Sequence, residues 1–205
     1  VLVTRFQSHE GVAELTDFMP VGGPKWNTGP DARPSPSIVR ICRAVFGRVK
    51  LSVACRPAFD YARATHHRFI APWGAAFETP HSALQLTSSV PLQPDGPDGA
   101  AAEITLEAGK EIVLALHHRV GPAASAPHPA ALSESDAEHL LQQTIDYWRR
   151  WIKGCTYTGR WREMVRRSAL TLKMLTFEPT GAVVAAPTCS LPAPIGGERN
   201  WDYRY

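Results

Sequence analysis

Arg48 to Pro57 reads R-V-K-L-S-V-A-C-R-P, and it alternates without a break. Val49, Leu51, Val53 and Cys55 fall on one side, Arg48, Lys50, Ser52, Ala54 and Arg56 on the other. That period of two is the pattern of a half-buried β-strand. Working outward, Leu84 and Leu86 alternate with Gln85 and Thr87, and Ile104 and Leu106 with Thr105 and Glu107. Each pair of leucine or isoleucine residues is expected to face the core. Ile38–Phe46 and Ile112–Leu116 are apolar at successive positions, so both are expected as interior strands. Gly47 separates Ile38–Phe46 from the alternating run and reads as a hairpin tip. Residues 1–120 are therefore expected to form an antiparallel β-sandwich of short strands punctuated by Gly and Pro.

Two connections interrupt this pattern. Val21–Pro36 is rich in Gly and Pro, and Pro91–Gly99 contains P-D-G-P-D-G, a tight turn with glycine at positive φ. Neither has the spacing of a phosphate-cradling loop. After about residue 120 the period changes to that of helices. Residues 121–129 read as a Pro/Ala/Ser linker. Ser133 or Ser135 then opens a helix, with Ser135 and Glu138 spaced as a capping box. Ala137, Leu140, Leu141, Thr144, Ile145, Trp148, Trp151 and Ile152 make its apolar face, and Gly154 ends it. A second helix is expected over 160–177, with Trp161, Met164, Val165, Ala169, Leu172 and Leu175 on one stripe and Pro179 and Gly181 as its stop. Two such helices need more partner surface than a sandwich supplies.

The composition narrows the function. The 205 residues carry 22 Lys+Arg against 19 Asp+Glu, a balance that offers no electrostatic footprint for nucleic acid. No run approaches the ~18 apolar residues of a membrane span. The 4 cysteines, Cys42, Cys55, Cys155 and Cys189, lack zinc or redox spacing and read as isolated thiols, which fits a reducing, cytoplasmic location. His66–His67 and His117–His118 are adjacent pairs on strand-like segments. Neighbours on a strand point to opposite faces, so neither pair converges on a metal, and they read as structural or surface histidines. Of the carboxylates near motif-like sequence, Asp17, Asp60, Glu78, Glu163, Glu178 and Glu198 read as strand ends, helix faces and turns. No nucleophile elbow is present, because Ser190 in T-C-S-L-P lacks the flanking glycines. No cofactor and no metal are implied.

The last residues are richer. In P-I-G-G-E-R-N-W-D-Y-R-Y, Pro194 to Tyr205, Arg199, Asn200, Trp201, Asp202 and Tyr203 follow a Gly-Gly turn. Aromatic rings cover the apolar faces of sugars, and Asp, Asn and Arg bond hydroxyls. The same stretch would also serve as an aromatic helix start buried against another domain.

Three segments carry a resemblance. T-D-F-M-P at Thr16–Pro20, R-S-A-L-T-L-K-M-L-T-F at Arg167–Phe177 with the following P-T-G-A-V-V-A-A-P-T, and G-G-E-R-N-W-D-Y-R-Y at Gly196–Tyr205 resemble glycoside hydrolase family 15, the glucoamylase and trehalase-like group. Their order and spacing agree, and the last is the most specific. The resemblance implies a β-sandwich over 1–120, a linker with two helices over 121–193, and the first residues of an (α/α)6 catalytic barrel over 194–205. It further implies an inverting hydrolase of α-glucosidic bonds, acting on trehalose or short α-glucans. Its two catalytic glutamates would lie beyond Tyr205, leaving this stretch inert by itself, with strands also missing ahead of Val1. Tyr203 matches the family's pocket tyrosine and is the leading substrate contact; Trp201, Asp202 and Arg199 follow as pocket-wall residues. A homo-oligomer is compatible with this reading. The reading from another class is a non-catalytic sugar-binding or interaction module, with Trp26 or Trp73 as its exposed platform.

Overall fold

The computed structural model describes residues 1–21, 36–120, 130–177 and 180–184. The chain is mainly β, with nine antiparallel strands and two helices among the described residues. It divides into two compact units, Val1–Asp146 and Tyr147–Tyr205, with the division falling inside the first helix.

The first unit holds β1 (Leu2–Gln7), β2 (Gly11–Phe18), β3 (Ser37–Cys55), β4 (His67–Ala71), β5 (Gly74–Glu78), β6 (Ser82–Ser88), β7 (Gln93–Asp95), β8 (Gly99–Glu107) and β9 (Glu111–Val120). Their main path runs β1-β2-β3-β9-β6-β5-β4, and β7 and β8 branch from β3. The strands make one open, hydrogen-bonded network. T-D-F-M-P does close a strand, since β2 ends at Phe18.

Gly47 is not a hairpin tip. Ile38–Phe46 and Arg48–Cys55 belong to one 19-residue strand. Its first half pairs with β2 and β9, and its second half pairs with β8. Gly47 sits at the change of partner with φ +65°. A side chain there would overlap the carbonyl oxygen of Glu10, which accepts the Arg48 N–H at 2.9 Å. Sequence pattern alone misplaces such a glycine, because a bulge and a hairpin both ask for positive φ.

On the opposite side of the ladder the same bend recurs. β8 and β9 both run antiparallel to β3, one after the other, with Gly109 at φ +82° between them. The Ala108 N–H donates to Gly47 O at 2.8 Å, and the Gly109 N–H to Ala44 O at 2.8 Å. Two long strands thus pair over nearly their whole length and bend together.

The bend brings β8 over the larger part of the sheet. Ala100 and Ala102 from β8, with Leu92, pack with Ala75, Phe77, Leu86 and Leu114 from β5, β6 and β9. Leu106 joins Cys42, Ala44 and Ile112 in the same way. The alternation in Arg48–Cys55 holds: Val49 is buried, Leu51, Val53 and Cys55 are half-buried, and the intervening residues are exposed.

The other face of the sheet is covered by the first part of helix α1, which spans Glu134–Ile152. Phe18, Val39, Ile41, Val113 and Ala115 form a cluster with Ala137, and Leu132, Leu140 and Leu141 pack around it. Thr144 is buried, donates to Leu140 O at 2.8 Å, and accepts the Val21 N–H at 3.2 Å. The two covered faces overturn one expectation. Gln85 and Thr87, expected to point to water, are each 1% exposed, so β6 is buried on both sides.

Of the two expected starts of α1, the structure selects Ser133, and the Ser135–Glu138 pair does not act as its capping box. Ser133 is the cap: its hydroxyl accepts the Asp136 N–H at 3.1 Å and bonds the Asp136 carboxylate at 2.6 Å. Glu138 turns away from Ser135 toward Arg43, at 3.7 Å. Ser133 thus satisfies the N–H of Asp136, and the Asp136 carboxylate is bonded to the capping hydroxyl.

In the second unit, helix α2 spans Arg162–Met174, shorter at both ends than the expected 160–177. The Gly181 N–H donates to Phe177 O at 2.8 Å, and Thr176 bridges Val183, which turns the chain back after the helix. The expected stripe splits. Val165 and Ala169 are half-buried, whereas Trp161, Met164 and Leu172 are exposed.

Candidate functional site

The four residues singled out as sugar contacts, Arg199, Trp201, Asp202 and Tyr203, lie outside the described residues, as do Trp26, Glu178, Cys189, Ser190 and Glu198. What the structure places is the remaining set of chemically capable side chains, and many of them are engaged structurally.

Most of the described carboxylates pair with a cation, though Glu78 at the end of β5 does not. On the sheet, Arg40 Nε meets Asp17 Oδ1 at 2.7 Å, and Arg43 meets Glu111 at 2.6 Å. In the β3–β4 connection Asp60 holds Arg63 at 2.6 Å, and on α2 Glu163 is shared between Arg162 and Arg166 at 3.4 and 3.9 Å. Across the bent strands, Arg56 binds Asp95 at 2.6 Å and Lys50 binds Glu103 at 2.7 Å. The bond from Arg56 holds the Asp95 carboxyl below its usual range, and Lys50 does the same for Glu103. A carboxylate held by a cation is a poor general acid at neutral pH.

The histidines do not converge. His66 Nε2 lies 3.1 Å from Asp98 O, with its ring against Phe59 and Phe77. Beside it, Arg68 donates to Gly96 O and Gly99 O at 2.9 and 2.8 Å. Both side chains pin the P-D-G-P-D-G turn, where Gly96 has φ +60° as expected. His117 and His118 point to opposite faces, His117 buried and His118 exposed. Among the described residues no three His, Cys, Asp or Glu side chains are grouped to hold a metal ion. No described helix is long and apolar enough to cross a membrane.

The thiols at Cys42, Cys55 and Cys155 are free. Burial pushes Cys42 up to about 11 and raises Cys55 as well, which keeps both in the unreactive thiol form. Arg160 lies over the Trp161 ring at 4.9 Å, a cation–π contact of the kind the arginines and tryptophans of this region suggest.

Among the described residues, His117 is a buried group whose titration should be felt on the acid side. Burial lowers it from the ordinary 6.5 to about 4. The fold therefore holds a neutral imidazole, while the unfolded chain takes up a proton near pH 6.5. The stability tied to neutral His117 is complete above pH 6.5, falls as the pH drops toward 4, and changes no further below that. The expected slope in this window is at most about 1.4 kcal/mol per pH unit. Urea unfolding at several pH values checks this: His117→Gln should flatten the slope between pH 6.5 and 4 and leave it unchanged at pH 8.

These features define a structural class: an antiparallel β unit with a covering helix, followed by a helical segment, whose described residues assemble no catalytic carboxylate pair. The particular relatives are trehalases. The chain is 35% identical over its whole length to the trehalase of Thermoplasma acidophilum, 34% to that of Mycolicibacterium smegmatis, and 33% to that of Mycobacterium tuberculosis. The resemblance to the trehalase-like glucoamylase family thus holds across the chain. It spans about a third of the length of each, 33%, 32% and 32% respectively. No family model matches the sequence.

Proposed function

We propose that the chain is the N-terminal part of an inverting glycoside hydrolase that cleaves α-glucosidic bonds, trehalose before short α-glucans. The observation that carries this is the full-length similarity to trehalases three times as long. In this reading, residues 1–120 are a sandwich-type domain, 121–193 the helical linker, and 194–205 the first residues of an (α/α)6 barrel. The strands buttress the barrel and shape its rim. Hydrolysis itself uses two carboxyl groups of the barrel, one protonating the leaving oxygen and one activating water across a gap of roughly 6.5–9.5 Å. The segment 1–205 alone is then inert, consistent with the arginine-bound carboxylates described above.

Tyr203 would face the glucosyl group, its ring stabilising positive charge at the anomeric carbon, with Trp201, Asp202 and Arg199 shaping the wall. The substrate is the small-molecule partner of this reading, with no nucleic acid or membrane, and the free thiols suit a cytoplasmic protein. A homo-oligomer fits the reading without being required by it. The sugar-module alternative draws less support, since Trp73 is half-buried rather than an open platform.

The test is made on the intact protein. Tyr203→Ala should lower kcat/KM on trehalose by about 10²-fold, an effect of the size seen when one stabilising group is removed. Its thermal midpoint should stay within a degree or two. An intact protein that hydrolyses neither trehalose nor maltose sinks the proposal.

A further inference from the structure

The connection from β3 to β4 holds a run of strained backbone. Asp60, Tyr61 and Ala62 follow one another with φ +47°, +57° and +65°, and among the described residues no others apart from glycines have positive φ. A Cβ disfavours this region, which residues other than glycine visit singly rather than in runs. The turn is held from both ends. Phe59 packs against the core cluster and lies 5.2 Å from the His66 ring, and His66 is bonded to Asp98 O. The Ala64 N–H donates to Phe59 O at 3.2 Å, and the Arg63 N–H to Asp60 O at 3.1 Å. Arg63 also donates from Nε to Asp60 O at 3.0 Å and pairs with the Asp60 carboxylate.

The strain gains no burial. Asp60, Tyr61, Ala62 and Arg63 are all exposed, and Tyr61, at 89%, is the most exposed large aromatic or aliphatic side chain described. Strain that the surroundings maintain without a packing return is a mark of ligand contacts.

The side chains at the tip have the make-up of a sugar platform. Arg63 lies over the Tyr61 ring at 5.7 Å, which covers one ring face and leaves the other open. The Tyr61 hydroxyl and Asp60 Oδ2 make no hydrogen bond among the described residues. A flat ring beside donor and acceptor groups matches a pyranose, which has an apolar C–H face and a rim of hydroxyls. Charge narrows the ligand further. Asp60 and Arg63 neutralise each other, and Arg56 in the same connection is paired with Asp95. The tip therefore suits a neutral ligand rather than a phosphate or an acidic peptide.

We infer that the Phe59–Ala64 turn is a sugar-binding tip, with Tyr61 stacked on a glucopyranose ring and Asp60 and Arg63 bonding its hydroxyls. It is a contact additional to Arg199, Trp201, Asp202 and Tyr203. The choice of glucose as the ring rests on the reading of the chain as part of a glucoside hydrolase; the site itself rests on the turn.

Tyr61 is its own probe. The intact protein is treated with tetranitromethane, and nitration of the peptide holding Tyr61 is followed by mass spectrometry. Glucose is the ligand, since it carries the ring and cannot be hydrolysed. One stacked ring with a few hydrogen bonds is a weak contact, with a dissociation constant on the order of 10 mM. About 0.1 M glucose should then slow nitration of Tyr61 about 10-fold. Sorbitol, which has the hydroxyls but no ring face, should leave the rate unchanged. Asp60→Asn keeps a residue that tolerates positive φ and should raise the half-protecting glucose concentration about 10-fold.

Equal rates with and without glucose overturn the site, as does equal protection by sorbitol. Tyr61 that nitrates slowly before any sugar is added also overturns it, because the tip is then covered by protein. An unchanged half-protecting concentration in Asp60→Asn removes the carboxylate from the contact. The two readings fail separately. Glucose protection in a protein that hydrolyses neither trehalose nor maltose keeps the sugar tip and removes the hydrolase; trehalose hydrolysis with Tyr61 unprotected does the reverse.

Discussion

Replacing Gly74 with alanine is expected to cost about 4 kcal/mol or more, enough to leave much of the chain unfolded. Gly74 opens β5 with φ +142°, a backbone conformation that a residue with a Cβ adopts only under strain of about 1–3 kcal/mol. Space is the second obstacle. A Cβ would overlap the Leu86 carbonyl oxygen and lie 3.0 Å from Thr87 Cα, and both are backbone atoms of the neighbouring strand. No rotamer change can relieve that overlap, so β5 and β6 would have to part where Gly74 pairs with Thr87. Parting them also uncovers Thr87, which the fold keeps 1% exposed. Urea unfolding followed by far-UV circular dichroism measures the loss. A midpoint within 0.3 M of the parent would show that the sheet accommodates the side chain.

Phe77→Ala should cost about 3–5 kcal/mol by leaving a cavity between the sheet and the strand folded over it. Phe77 is fully buried and is among the largest side chains that are. It belongs to one buried cluster with residues of both parts: Ala75, Leu86 and Leu114 beneath, and Leu92, Ala100 and Ala102 above. Half of these neighbours are alanines, which cannot fill the space by changing rotamer. The His66 ring, edge-on at 5.8 Å, would lose its apolar wall as well. Phe77→Leu should cost under about 1.5 kcal/mol, since it keeps most of the volume. Equal losses for the two variants would mean that ring volume is not what the site requires.

Much of the β architecture was legible because its signal is local. Arg48–Cys55 alternates in sequence and alternates in burial, Ile112–Leu116 is apolar throughout and buried almost throughout, and P-D-G-P-D-G turns where glycine permits. What failed was the part set by remote partners. Gln85 and Thr87 look solvent-facing until α1, starting some fifty positions later, shows that the second face of the sheet is covered. Gly47 looks like a tip until the pairing of β3 with β8 and β9 is known, and that pairing lies far along the chain. The α2 stripe was correctly read as apolar, but its exposure depends on what else is present, which periodicity does not report. The sugar-contact candidates Arg199, Trp201, Asp202 and Tyr203 rested on the resemblance to a family and fall outside the described residues, so they stand as proposals tested on the intact protein.

The paired bend at Gly47 and Gly109 has a consequence for how the chain is made. β3 pairs along its whole length with β8 and β9, and β4 to β7 lie between them in sequence. During synthesis, β3 leaves the ribosome with β2 already made but long before β8 and β9 exist, with Val39, Ile41 and Val49 not yet covered. The β1–β2 hairpin can form early, but the two long strands close only after residue 120 has emerged, and they must close in one register on both sides of the bend. Such non-local closure is slow, and the waiting strand is open to wrong pairing. Arg40, Arg43, Arg48 and Lys50 punctuate that waiting strand with positive charge, which discourages two nascent copies from pairing with each other.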